Sequence, residues 1–349
     1  MTSRKQRVGV LSTLVCDVIH GPPPAHDISE GWGGVAYGVS GLGAALDDAW
    51  EMVPFIKVGA DVADEARAWL RAVPGICAEP ALWVVPEPNN RSELRYLTPE
   101  HRTEQMRGGV PPWSAAELLP LFDAAELDAL YVNFLSGREV DLTTMQRIRA
   151  QFSGPIYVDL HMLLWHTDDD GRRSLQPLRD AAAWCACFDF IQVNEEEMRM
   201  LAPDFDLYAT LTLGAGVLAT FVTLGSRGVQ YGAHHALRSL ADRPAILAEV
   251  CAVPPAVVAV LPAARALPYA AGVVPPPALG VGAVLDPTGC GDVWGGTIFA
   301  RLLAGDSLAQ ALATANRAAS HNAQSQGVVG LAHQLMVQRL DATHVADAR

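Results

Sequence analysis

Asp286-Pro287-Thr288-Gly289-Cys290-Gly291-Asp292, continued by Val293-Trp294-Gly295-Gly296, is the stretch whose reading decides the fold. The apolar Ala283-Val284-Leu285 before it reads as a short strand, and Val293 to Leu303 after it reads as a helix. A Gly-x-Gly between a strand and a helix leaves several backbone N–H groups aimed at one spot, at the positive end of the helix dipole. Gly289, Cys290 and Gly291 therefore read as an anion hole, or else Gly289 and Gly291 merely shape a tight turn. Asp292 stands at its mouth, either as a helix cap or as a base facing the anion.

Upstream, strands and helices alternate, the pattern of a doubly wound, mainly parallel α/β sheet with helices on both faces. Val8-Gly9-Val10-Leu11 suits a buried first strand, read as ending at Cys16-Asp17. A carboxylate there would point into the ligand crevice of an open sheet, or would be a solvated turn residue. Gly33 and Gly34 precede a run of small residues, Val35 to Leu46, that reads as a tightly packed helix. Its glycines imply close approach to a backbone or a ligand, since they cost helix propensity. Met52–Val58 is the next strand, and Val58-Gly59-Ala60-Asp61 then starts a helix running towards Trp69, for which Asp61 is a good N-cap. Leu82–Val85 and Arg91–Leu97 read as strands. Segments of about 18–32 and 83–112 read together as a small β lid, inserted in a single domain covering 1–349. Such a sheet has little core, so its apolar face must close on substrate or on a second subunit, giving a homodimer through the lid.

Ala129–Phe134, Pro155–Leu160 and Phe188–Val193 are further strands. The last runs into Asn194-Glu195-Glu196-Glu197, acids that the helix dipole alone would explain. His161 is either a ligand contact or a structural histidine. Asp168-Asp169-Asp170-Gly171 lacks EF-hand spacing and reads as a solvated turn. Phe221 to Tyr231 is strand, glycine turn, strand, with Thr223, Gly225 and Gly228 at the turn. Residues 233–281 read as an insertion without a recognisable site. Leu308–Ser325 is a last helix, with Asn316 inside it.

Composition narrows the chemistry. The formal net charge of -13 argues against nucleic acid and anionic membrane as partners. Lys5 and Lys57 are the only lysines and no Gly-Lys-Ser/Thr occurs, so phosphate work must fall to amides, arginine and metal. Six scattered cysteines without a Cys-x-x-Cys fit buried thiols in a reducing compartment. The prolines of 252–278 rule out a membrane helix there, and the cytoplasm is the expected location. No Gly-x-Gly-x-x-Gly follows the first strand, which excludes a dinucleotide oxidoreductase.

Asp-x-Thr-Gly-x-Gly-Asp followed by small residues resembles the C-terminal signature of the PfkB-type carbohydrate kinases, the ribokinase-like family. The resemblance covers most of the chain. It implies an ATP-dependent kinase acting on a hydroxymethyl group of a sugar or nucleoside. It assigns Asp292 as the base and the Gly289–Gly291 amides as the phosphate hole. It places Asp17, Gly33, Gly34 and Gly38 by the substrate, and Thr223, Gly225, Gly228 and Asn316 by the nucleotide. Asn194 and Glu197 match its magnesium mark, acting through water; a monovalent cation is compatible with it. Cys290 replaces the usual Ala, and Gly38 stands where the family usually has an Asn that touches substrate. That loss keeps a second reading open: a sugar or nucleotide sensor with the kinase fold but little turnover.

Overall fold

The computed structural model describes residues 4–21, 27–77, 82–97, 102–251, 269–278, 284 and 286–346. The chain opens with β1 (Gln6–Thr13), then leaves for two short strands, β2 (Cys16–His20) and β3 (Ile28–Trp32). It returns through α1 (Val35–Ala45), β4 (Trp50–Gly59), α2 (Ala63–Arg71) and β5 (Leu82–Val85). Strands β6 (Arg91–Tyr96) and β7 (Arg102–Arg107) follow, then α3 (Ala115–Ala125), β8 (Ala129–Asn133), α4 (Leu142–Gln151) and β9 (Ile156–Asp159). A hairpin of β10 (Trp165–Thr167) and β11 (Arg173–Leu175) leads to α5 (Ala181–Cys185), β12 (Phe190–Asn194), α6 (Glu195–Leu201) and α7 (Phe205–Gly214). The rest is β13 (Ala219–Thr223), β14 (Val229–His234), α8 (Arg243–Cys251), β15 (Tyr269–Val274), α9 (Cys290–Leu303), α10 (Leu308–Asn322) and α11 (Leu331–Ala346).

Among the described residues nine strands make one sheet, in the order β15-β14-β13-β12-β9-β8-β1-β4-β5. It is parallel from β13 to β5, and β14 runs antiparallel to both its neighbours. The central strands are mainly apolar because both faces are covered. Tyr131, Tyr157, Phe190 and Phe221 pack into the layer with α1, α9, α10 and α11. Their neighbours Leu130, Val132, Val158, Ile191 and Val222 pack into the layer with α3 to α7. This period of two sorts one run of hydrophobic residues into two cores.

Helix α1 is buried along its whole length. A Cβ on Gly41 would lie 2.6 Å from Val293 O, and one on Gly296 would run into Gly38 O. The glycines expected to mark a close approach therefore let α1 and α9 touch backbone to backbone.

A four-stranded sheet, β3-β2-β6-β7, forms the lid. Its bounds correct the sequence reading in two places. The first strand ends at Thr13, and Asp17 belongs to lid strand β2, opposite Ser92 of β6. Leu82–Val85 is the edge of the large sheet, paired with β4 from Ile56↔Leu82 onward, and is not lid. Asp61 caps no helix; α2 begins after Val62, and the Asp61 carboxylate accepts from Asn89 N–H at 2.9 Å. The supposed insertion 233–281 contributes α8 and the edge strand β15. Ala283 and Leu285 of the expected strand lie outside the described residues, and Val284 is exposed. Most of the proline-rich 252–278 segment also lies outside them. Asp168 is the solvated turn expected, its carboxylate accepting from the N–H groups of Asp170 and Arg172 between β10 and β11. Among the described residues no helix is long and apolar enough to cross a membrane.

Candidate active site

The chain builds outward from β1 through β4 to β5, then returns to the other side of β1 with β8. Strand order reverses between β1 and β8, and ligands of open parallel sheets bind at the carboxyl ends beside such a reversal. A cavity of about 870 Å³ lies there. Asp159, Asn194 and Thr223, which close β9, β12 and β13, line it, and the lid covers one end.

The loop before α9 forms its middle. Gly289 takes the N-cap place at φ 73°, a left-handed conformation that glycine adopts without strain, and its missing Cβ makes room for the Tyr37 ring. Asp292 therefore lies inside the first turn, and the cap reading is excluded. Thr288 N–H donates to Asp286 Oδ1 at 2.9 Å, and Asn322 Nδ2 holds Thr288 O at 2.8 Å. Cys290 N–H is committed to Pro287 O at 3.2 Å, so Cys290 contributes less to the anion hole than expected. Its thiol turns to α10 and donates to Ala319 O at 3.4 Å. The remaining first-turn N–H groups have no intrahelical acceptor and face the cavity end of the dipole.

Asp292 is fixed by a partner that sequence reading missed. Asn133, the last residue of β8, donates from Nδ2 to Asp292 Oδ1 at 2.8 Å. Gln192, in β12, donates to Gly291 O at 2.9 Å and to Asp159 Oδ2 at 3.1 Å, and accepts from Tyr157 Oη. The available signal was a lone amide near the end of an otherwise apolar strand. Burial raises Asp292 above the ordinary carboxylate range, opposed by the nearby His161 and the Asn133 hydrogen bond. For the base role that the resemblance implies Asp292 must be ionised, and the expected outcome is that turnover falls with acidification at a higher pH than the usual Asp value of about 3.9 would give. A kcat profile from about pH 4 upward checks this; an acid limb indistinguishable from that of an ordinary surface carboxylate would contradict it.

Asn194 and Glu197 form a capping box for α6. Asn194 Oδ1 accepts from the N–H groups of Glu196 and Glu197, both at 2.9 Å, and Glu197 Oε2 accepts from Asn194 N–H at 2.8 Å. The other Glu197 oxygen is 2.7 Å from His161 Nδ1. Glu197 is 1% exposed, and both its oxygens are taken. Burial alone would lower His161, but Glu197 outweighs it and holds the imidazole at about 10. Among the described residues no group of three or more His, Cys, Asp or Glu could hold a metal ion. Asn194 and Glu197 both line the cavity, with their side-chain oxygens engaged by the capping box and by His161.

At the lid end, Asp17 and Gly34 line the cavity, whereas Gly33 and Gly38 do not. Gly33 lies against Asp17: a Cβ there would collide with the carboxylate. Gly38 is buried in α1, where a Cβ would come 2.8 Å from Tyr131 Oη. Gly33→Ala should therefore push Asp17 aside, and we expect about a tenfold rise in acceptor KM with donor KM unchanged. Steady-state kinetics checks this; an unaltered acceptor KM would separate Asp17 from acceptor binding. At the far end Thr223, Gly225, Gly228 and Asn316 line the cavity. The Asn316 amide is engaged with the fold, accepting from Trp294 Nε1 and donating to Val274 O and Pro275 O.

No protein-family model and no curated protein matches the chain. Solved structures do. The chain is similar to a ribokinase from Thermotoga maritima, at 17% identity and TM-score 0.62 over 97% of this chain and 99% of that one. It is similar to a pyrophosphate-dependent kinase of the ribokinase family, complexed with a pyrophosphate analog and myo-inositol, at 13% and 0.65 over 92% and 96%. It is also similar to a nucleoside kinase of Burkholderia thailandensis in complex with inosine, at 16% and 0.61 over 93% and 94%. The chain has the ribokinase-like fold.

Proposed function

We propose that the protein is a phosphotransferase with an alcohol acceptor, moving a phosphoryl group to a hydroxymethyl group of a sugar or nucleoside. One observation carries the reading: the Asp292 carboxylate, held by Asn133, borders a cavity at the positive end of α9. In phosphoryl transfer the protein mainly positions the reactants and stabilises charge. The acceptor hydroxyl gives its proton to Asp292 as its oxygen attacks the donor's terminal phosphorus, whose bond to the bridging oxygen breaks in line and releases the remainder of the donor with that oxygen. The amides of the α9 first turn take up the negative charge on the transferring group. Gln192 supports this by holding the Gly291 carbonyl, which turns that peptide's oxygen away from the anion.

ATP is the favoured donor. Beyond the anion hole the cavity continues between Pro275–Pro277 and Ala319, Ser320 and Ala323 of α10 and its end. Such a groove of small and apolar groups suits a flat base, and pyrophosphate would leave it empty. Incubating the protein with either donor, magnesium and a panel of sugars and nucleosides tests both statements. ATP should support transfer to an acceptor. Transfer from pyrophosphate alone would overturn the choice of donor, and transfer from neither would overturn the enzyme.

A further inference from the structure

The inner face of the lid carries an ion pair that no part of the motif reading uses. Asp17, Ser92, Leu94 and Glu104 all line the cavity, as strand register requires: Asp17 pairs with Ser92, and Leu94 with Glu104. Arg173 reaches the same place from the β10–β11 hairpin. That hairpin is joined to the lid by an isolated bridge, Gln105↔Arg172, and by Met106 N–H donating to Gly171 O at 2.8 Å. Arg173 Nη1 donates to Glu104 Oε1 at 2.8 Å, and Ser92 Oγ donates to the same oxygen at 3.0 Å. Arg173 Nη2 reaches Leu135 O at 3.1 Å and Ser136 O at 3.3 Å, in the loop after β8. The two charged side chains are only 1% and 5% exposed.

Within this buried cluster Arg173 Nε has no hydrogen-bond partner among the described residues. A buried donor left unmade is costly, and Arg173 lines the cavity, so a ligand atom is the natural acceptor. Its chemistry is limited. The guanidinium's charge is already matched by Glu104, and three of its five N–H groups are committed, one on Nη1 and both on Nη2. A carboxylate or phosphate prefers two parallel N–H groups and an unmatched positive charge; with both Nη2 hydrogens used, the N–H groups left on Nε and Nη1 offer no parallel fork and suit a hydroxyl or ring oxygen. An anion would also meet the carboxylates of Glu104 and Asp17 on the same face.

We propose that Arg173, held by Glu104, reads the acceptor, and that it selects neutral polyhydroxylated molecules over sugar acids and sugar phosphates. The inference rests on the phosphotransferase reading for the word acceptor, and its test does not need turnover. Melting of the native protein would be followed without donor, with ribose, fructose, myo-inositol and inosine against gluconate, 2-keto-3-deoxygluconate and fructose 1-phosphate. A neutral probe should raise the melting temperature, since a ligand that binds only the folded state stabilises it, and the anionic probes should not. Arg173→Lys keeps a charge opposite Glu104 and loses Nε. It should weaken the neutral ligand by about tenfold or more and leave the melting shift produced by ATP unchanged. Should Arg173→Lys not fold, Glu104→Gln serves: freeing the guanidinium's charge should admit the anionic probes. Equal or better stabilisation of the native protein by an anionic probe overturns the proposal. So does the absence of any neutral ligand, unaltered acceptor affinity in Arg173→Lys, or unaltered discrimination in Glu104→Gln. Phosphoryl transfer to an acidic sugar would defeat this inference alone, whereas neutral binding without transfer would defeat the phosphotransferase reading alone.

Discussion

Asp292→Asn is expected to lose on the order of a hundredfold or more in turnover, the range typical of a positioned general base. Asparagine keeps the size of the side chain and an oxygen that can accept from Asn133 Nδ2, now 2.8 Å from Asp292 Oδ1. It loses only the basicity. Donor and acceptor affinity should move far less. Stability should stay level or rise, and the sign follows from the raised pKa. Burial makes the fold favour protonated Asp292, so its contribution is fully present below the unfolded value of about 3.9 and is lost as pH rises through the folded value. At neutral pH the ionised carboxylate is therefore a local cost that asparagine removes. Kinetics with a melt at neutral pH checks both halves. A variant that melts as well as the native protein and keeps most of its turnover would remove Asp292 from catalysis.

His161→Ala is expected to give the largest loss of stability. It leaves Glu197, 1% exposed, with one oxygen deprived of its partner. Removing one partner of a buried ion pair costs about 3–5 kcal/mol. The His161 side chain is 27% exposed, so water can reach the gap and the lower end of that range is the expectation. The pH dependence has a definite sign. His161 is raised to about 10 and Glu197 is lowered by the same contact, so the pair's contribution is complete between the unfolded values of about 4.3 for Glu and about 6.5 for His, fades as pH rises through about 10 and is lost on acidification as Glu197 protonates. Denaturant unfolding of His161→Ala, Glu197→Gln and the double variant measures the coupling. Additive losses would show that the two side chains do not stabilise one another.

The anion loop was legible because its chemistry is local: seven consecutive residues hold the turn, the amides and the carboxylate. The large sheet was legible because strands buried on both faces read as apolar runs, Val8–Leu11 and Ala129–Val132 among them. Errors arose where the deciding contact is distant in sequence. The apolar run from Val8 continues to Val15, and nothing local shows that the chain leaves the large sheet after Thr13. Leu82–Val85 looks like lid until its pairing with β4 is seen. Asn133 and Asp292 are 159 residues apart, and Arg173 and Glu104 are 69 apart, so neither pair leaves a local trace. The Asn194 and Glu197 pattern was legible as a motif, yet the same residues satisfy a helix start, and only the structure shows Glu197 closed by His161.

The most direct test of the phosphotransferase reading is phosphorus NMR of the purified protein with ATP, magnesium and an equimolar mixture of sugars, cyclitols and nucleosides. A new phosphomonoester resonance should grow with the native protein and be absent, on the same timescale, with Asp292→Asn. No phosphomonoester from the native protein, while the same ligands raise its melting temperature, would contradict the reading and leave a binding protein with the kinase fold.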